Sequence, residues 1–225
     1  VDIKHVCDFV KEKSIDSKVI IVASGASESS GLVFMTPYTA MTIAEYFKDQ
    51  GEHVLLIIDD LTSHAQYYRE IALLARRFPG RNSYPGDVFY VHSRLLERAG
   101  SFEKGSITAL VIADTILGDL SGFIQTNLMS ITDGHIFFDT EIFNRGRRPA
   151  VNPYLSVTRV GEQAQGVLVK DIGRGISRFL VQYQKLRDLA HFGADFEQRV
   201  KDDLSLGNRI FSFFDQQGKY LMPIN

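Results

Sequence analysis

Apolar positions along the chain follow two rhythms. Three short runs, Val19-Ile20-Ile21-Val22, Val54-Leu55-Leu56-Ile57-Ile58 and Ile107-Thr108-Ala109-Leu110-Val111-Ile112, are continuous rather than alternating. Continuous apolar strands suit a parallel sheet covered on both faces, so each run predicts a strand. Between them the spacing lengthens to the helical period. Ala40, Ile43, Ala44 and Phe47 share one helical face while Glu45 and Lys48 turn away, and Gly51 supplies a stop. A second helix is expected after the second run, opened by the capping pattern Ser63-x-x-Gln66 and carrying Tyr67, Ile71 and Leu74. A third starts near Asp87 with Val88, Val91 and Leu95. Strands alternating with helices predict an α/β domain, a mainly parallel sheet flanked by helices.

After about residue 160 only the helical rhythm continues. Ile176, Phe179, Tyr183 and Leu186 form one helical stripe that stops near Gly193, and Asp195 with Gln198 opens another helix carrying Phe196 and Val200. The stretch Gly161-Glu162-Gln163-Ala164-Gln165-Gly166 separates the two regimes, which places a boundary within residues 162–172. The expected organisation is an α/β portion over residues 1–165 and an all-α segment over 166–225.

Charge narrows the function classes. With 25 Lys and Arg against 27 Asp and Glu, the 225-residue chain has a formal charge of −2. Neither the basic surplus of nucleic-acid binders nor a polybasic membrane anchor is present. No apolar run approaches the ~20 residues that span a bilayer, so no direct membrane insertion is expected. The opening Val1-Asp2-Ile3-Lys4 does not resemble a signal peptide. Cys7, the single cysteine, lies in the helical stripe Ile3, Val6, Cys7, Val10 and is expected to be packed.

The segment from Val54 to Asp60 carries the clearest chemical signal. An apolar strand ending in carboxylates puts charge at the carboxyl edge of a sheet, where open α/β folds bind ligands. Asp59 and Asp60 could help hold Mg²⁺ as in P-loop nucleotidases, or could simply end the strand and cap the next helix. A response-regulator receiver also ends a strand in an acidic pair. No G-x-x-x-x-G-K-[ST] phosphate cradle occurs in the chain, and Gly173-Arg174-Gly175 follows no strand, so it is not expected to be a cofactor loop. Arg145-Gly146-Arg147-Arg148-Pro149 reads as a solvated basic turn. Arg159, in Leu155 to Gly161, is either a structurally paired arginine or an arginine finger for a transferring phosphoryl group.

Longer motifs carry a resemblance. Thr36-Pro37-Tyr38, Glu45-Tyr46-Phe47, Leu56 to Leu61, Pro79-Gly80-Arg81, the run from Tyr84 to Ala99, Thr126-Asn127 with Ser130 to Gly134, and Arg148-Pro149-Ala150-Val151-Asn152 with Leu155 to Gly161 resemble F-type rotary ATP synthase alpha subunits. The Tyr84 to Ala99 and Arg148 to Gly161 stretches fit that family better than vacuolar-type subunits or secretion and flagellar ATPases. The resemblance implies the later part of a RecA-like nucleotide domain followed by the start of a helical domain. It also implies a non-catalytic ATP or ADP site with Mg²⁺, beta subunits and a central gamma subunit as partners, and a peripheral complex on the cytoplasmic face of a bacterial membrane or its organellar equivalent.

Residue roles follow from the same resemblance. Asp59 matches the Walker B carboxylate that holds Mg²⁺ through water. Phe143, Arg148 and Gln217 match the adenine pocket. Arg159 matches the arginine inserted into the catalytic site of the adjoining beta subunit, and Ser130 sits at that interface. Thr158 stands where the family usually has Ser, and Lys219 where it often has a second base-contacting glutamine. The family's P-loop is expected several tens of residues before the Val19 run, yet 18 residues precede that run. The chain alone is therefore expected to bind nucleotide weakly and not to turn over ATP. A shortened paralogue serving assembly without nucleotide chemistry is the alternative.

Overall fold

The computed structural model describes residues 3–25, 27–116, 118–163, 165–191 and 197–216. It divides into two compact units, Val1–Thr132 and Asp133–Asn225. The expected limit of the α/β portion, at residue 165, lies inside the second unit.

The first unit contains α1 (Ile3–Glu12), α2 (Ser30–Asp49), β1 (His53–Ile58), α3 (Leu61–Leu74), α4 (Val88–Leu96), β2 (Gly100–Ser101), β3 (Ser106–Val111) and α5 (Phe123–Ile131). The second contains β4 (Gly134–His135), α6 (Thr140–Asn144), β5 (Val157–Thr158), α7 (Val167–His191) and α8 (Gln198–Phe213). The described residues are thus α/β, with many helices and two small sheets among them.

Two of the three apolar runs form the sheet of the first unit. β1 and β3 pair in parallel, Val54 opposite Ile107 through Ile58 opposite Val111, and β2 adds an antiparallel edge to β3. The third run, Val19 to Val22, is not a strand. A strand exists only through its ladder, and among the described residues nothing pairs with this run.

Cover is also one-sided. Leu56 and Ile58 of β1 point into a core with Met41, Leu61, Val88 and Leu95, while Leu55 and Ile57 remain 59% exposed each. α2 packs on β1 and β3. It ends where Gly51 takes φ +93°, the left-handed stop expected there. A Cβ on Gly105, just before β3, would lie 2.5 Å from the carbonyl oxygen of Glu52 and 2.6 Å from that of Lys48, so strand and helix end approach with no room for a side chain. Glu45 of α2 accepts two hydrogen bonds from Arg98, at 2.7 and 2.5 Å, which tie the chain after α4 to α2.

In the second unit α7 begins at Val167, within the stretch expected to be a linker, and Gly173 and Gly175 lie inside it. The apolar residues of its first turns, such as Val167 and Leu168, are exposed, so no buried stripe marked that part of the helix in the sequence. Gly207 lets α8 close on α7: a Cβ there would overlap the ring of Tyr183, and the Tyr183 hydroxyl donates to Asn208 Oδ1 at 2.7 Å.

Candidate functional site

The carboxyl edge of the parallel pair separates the roles of the two aspartates. Asp60 is the N-cap of α3, and its carboxylate accepts from the Ser63 amide at 2.6 Å and the Ser63 hydroxyl at 3.0 Å. The helix therefore starts before Ser63, which sits in its first turn rather than opening it. A carboxylate at a helix N-terminus satisfies unpaired amides and the positive end of the helix dipole together. Asp59, one residue earlier, is exposed at the strand end. Nearby, the Asp114 amide donates to Thr62 Oγ1 at 3.0 Å, and the Gln125 side-chain amide donates to the Asp114 carbonyl. Among the described residues no group of three acidic, His or Cys side chains could cage a metal. Among the described residues the edge offers two exposed carboxylates without a hydrogen-bond or ion-pair partner, Asp59 after β1 and Asp114 after β3, enough to touch a hydrated Mg²⁺ held mainly by phosphate and water but too few to cage the ion.

Phe143 and Arg148 are brought together. The Arg148 guanidinium lies 3.5 Å from the centroid of the Phe143 ring, which is 51% exposed, and Nη1 donates to the carbonyls of Phe143 and Arg147, each at 2.8 Å. The result is a flat, cationic and aromatic platform open on one side. The chain leaving α8 is bound to it: Asp215 Oδ1 accepts from the Arg148 amide at 2.7 Å, and the Gln216 amide donates to the Arg148 carbonyl at 2.6 Å. Gln217, the third expected member, lies outside the described residues.

Arg159 follows β5, whose Val157 and Thr158 pair with His135 and Gly134 of β4. Its amide donates to the Asp133 carbonyl at 2.7 Å, so its backbone is fixed while the residue is exposed. Gly134 is needed for this closeness, because a Cβ there would meet the Val157 carbonyl oxygen at 2.5 Å. The Gly161 amide donates to Thr158 Oγ1 at 3.0 Å, a turn that needs only the hydroxyl that Thr shares with Ser. Ser130, near the end of α5, donates to the Thr126 carbonyl one turn back at 2.9 Å and is exposed.

Residues 2–158 match the model of the ATP synthase alpha/beta family, nucleotide-binding domain. The chain belongs to this family. It is 45% identical over 219 residues to an ATP synthase subunit alpha from Neorickettsia sennetsu, covering 96% of this chain and 43% of that protein. It is also 45% identical over 229 residues to ATP synthase subunit alpha 2 from Pseudoalteromonas atlantica, covering 95% of this chain and 45% of that one. The chain thus spans a little under half the length of these ATP synthase relatives. Among the described residues no helix is long and apolar enough to cross a membrane.

Sequence reasoning missed two features of this family member. His64 and His92 form a buried contact in the first unit. Arg147, read as part of a solvated turn, is half-buried with its guanidinium 4.2 Å from the Phe211 ring centroid. The first had a trace in the sequence: His92 lies four residues after Val88 and three before Leu95, on the stripe that faces the core.

Proposed function

We propose that the chain acts as part of an F-type ATP synthase alpha subunit, comprising the later portion of a RecA-like nucleotide domain and the start of a helical one. In the assembled head it contacts beta subunits and the central gamma subunit, binds ATP or ADP with Mg²⁺ at a non-catalytic site, and lies on the membrane as a peripheral complex. Asp59 contributes to Mg²⁺ through water. Phe143 and Arg148, with Gln217, hold the adenine. Arg159 reaches into the neighbouring beta subunit, where its planar fork stabilises charge developing on the transferring phosphoryl group, and Ser130 lines the same interface.

The observation that carries this reading is the family match over residues 2–158, joined to an exposed arginine whose backbone is clamped at residue 159 by the β4–β5 pair. A stabilising cation is effective when it is positioned before the reaction. The experiment is Arg159→Ala in a full-length alpha subunit assembled with its beta partners. Loss of an arginine finger costs about 10³-fold or more in turnover, while hexamer assembly is expected to survive. Unchanged turnover would remove the assignment.

A further inference from the structure

The second unit carries a half-open cavity of about 670 Å³ between α6, the loops that follow it, α7 and α8. Drug-sized ligands occupy cavities of roughly 300–1,000 Å³. Phe143 and Arg148 are not among its lining residues, so it is separate from the platform described above.

Its charges are unequally committed. Three arginines (Arg145, Arg147, Arg187) and two carboxylates (Asp139, Glu141) line it. Asp139 is consumed locally: Oδ1 accepts from the amides of Glu141 at 2.8 Å and Ile142 at 3.3 Å, and Oδ2 accepts from Asn152 Nδ2 at 2.9 Å. Those bonds hold its carboxyl below the usual carboxylate range, the Asn152 bond being the largest cause. Glu141 pairs with Arg145 at 3.3 Å.

Arg147 and Arg187 lack such partners. The Arg147 Nε–H is buried with no acceptor, and its guanidinium rests on the Phe211 ring. Asp215, the carboxylate whose charge reaches it, already accepts the Arg148 amide through Oδ1. Arg187 faces the cavity from α7, with no hydrogen bond or ion pair among the described residues. A buried N–H without an acceptor is costly, so the half-buried Arg147, its Nε–H unmet, is better explained by a ligand than by stability. Tyr154, Tyr183 and Phe211 add aromatic wall beside the cations.

We propose that this cavity is a binding site for a small organic oxyanion with a ring, its phosphate or carboxylate taken by the forks of Arg147 and Arg187 and its ring laid against Tyr154 and Phe211. Arginine forks match both oxyanions, and the aromatic wall selects an organic ligand over a bare ion.

Titration calorimetry of the 225-residue chain with phenyl phosphate, benzoate and inorganic phosphate tests it. Phenyl phosphate or benzoate is expected to bind with Kd of about 1 mM or tighter, whichever is tighter identifying the oxyanion, and inorganic phosphate about tenfold more weakly than phenyl phosphate. Arg147→Met and Arg187→Met should each weaken binding about tenfold or more, while Arg209→Met, on the exposed surface of α8, should not. A structural arginine and a ligand-binding one differ in a second readout: Arg147→Met should keep or raise Tm, because it removes a buried N–H that has no acceptor. Absence of binding by both organic probes, binding indifferent to Arg147→Met, or a lowered Tm in that variant would each overturn the proposal.

Discussion

His64 Nδ1 and His92 Nε2 lie 3.2 Å apart inside the core of the first unit, where both rings are almost fully buried. The partners fix the tautomers. His64 Nε2 lies 3.1 Å from the Phe34 carbonyl oxygen and must carry a proton to donate there, so its Nδ1 accepts and His92 Nε2–H is the donor. His92 Nδ1 is then a bare lone pair, and it is buried with no hydrogen-bond partner.

Stability is therefore expected to fall on mild acidification. Burial pushes His64 down from 6.5 to about 4, and burial with the charge of His64 pushes His92 down to about 3. The unfolded chain takes up these protons near pH 6.5 while the folded chain refuses them, so the stabilisation is whole above that pH and drains away toward pH 4. The loss is on the order of a few kcal/mol. Thermal melts between pH 7 and 5 should show a falling Tm, and a His64→Asn/His92→Leu double variant should flatten it. An equal slope in both would acquit the pair.

Gly207→Ala should destabilise the second unit. The new methyl would overlap the buried ring of Tyr183, and overpacking costs about 1–3 kcal/mol, only partly offset by the ~1 kcal/mol helix preference of Ala over Gly. Urea unfolding should show a lower midpoint, whereas an unchanged midpoint would mean that α7 and α8 separate freely.

The two aspartates after β1 should part company under mutation. Asp60→Ala removes the α3 cap and should cost about 1 kcal/mol. Asp59→Asn, at an exposed position, should stay within about 0.5 kcal/mol in the isolated chain. In an assembled full-length subunit the order should reverse for Mg²⁺ dependence of nucleotide binding, with Asp59→Asn the more damaging. Equal stability losses would contradict the division of labour.

Mg-ATP should bind the 225-residue chain weakly, because no P-loop sequence is present to cradle the phosphates. Calorimetry giving an affinity in the micromolar range, about −8 kcal/mol, would show that the Phe143–Arg148 platform and Asp59 suffice without it.

Local chemistry was legible where the sequence alone decides it. Val54 to Ile58 and Ile107 to Val111 became paired strands, and Gly51 became the helix stop. What depended on distant chain was not legible. Val19 to Val22 has equal β-branching but no ladder, and continuous apolar character in β1 did not reveal that one face would be bare. Ser63 and Gln66 matched a capping pattern, yet Asp60 lay within reach of the same amide with a full negative charge and became the cap. The Arg148 and Phe143 pair was indicated by resemblance, five residues apart across a turn. Arg147 was not, because the side chain that covers it, Phe211, comes from a helix 64 positions later.

The backbone of Arg148 is held at both its amide and its carbonyl by Asp215 and Gln216, just past the end of α8. Two fastenings on one residue act as a rigid coupling rather than a hinge. Any tilt or slide of the end of α8 must be transmitted to the guanidinium that lies on Phe143, so the posture of the helical hairpin and the shape of the Phe143–Arg148 platform vary as a single mechanical coordinate.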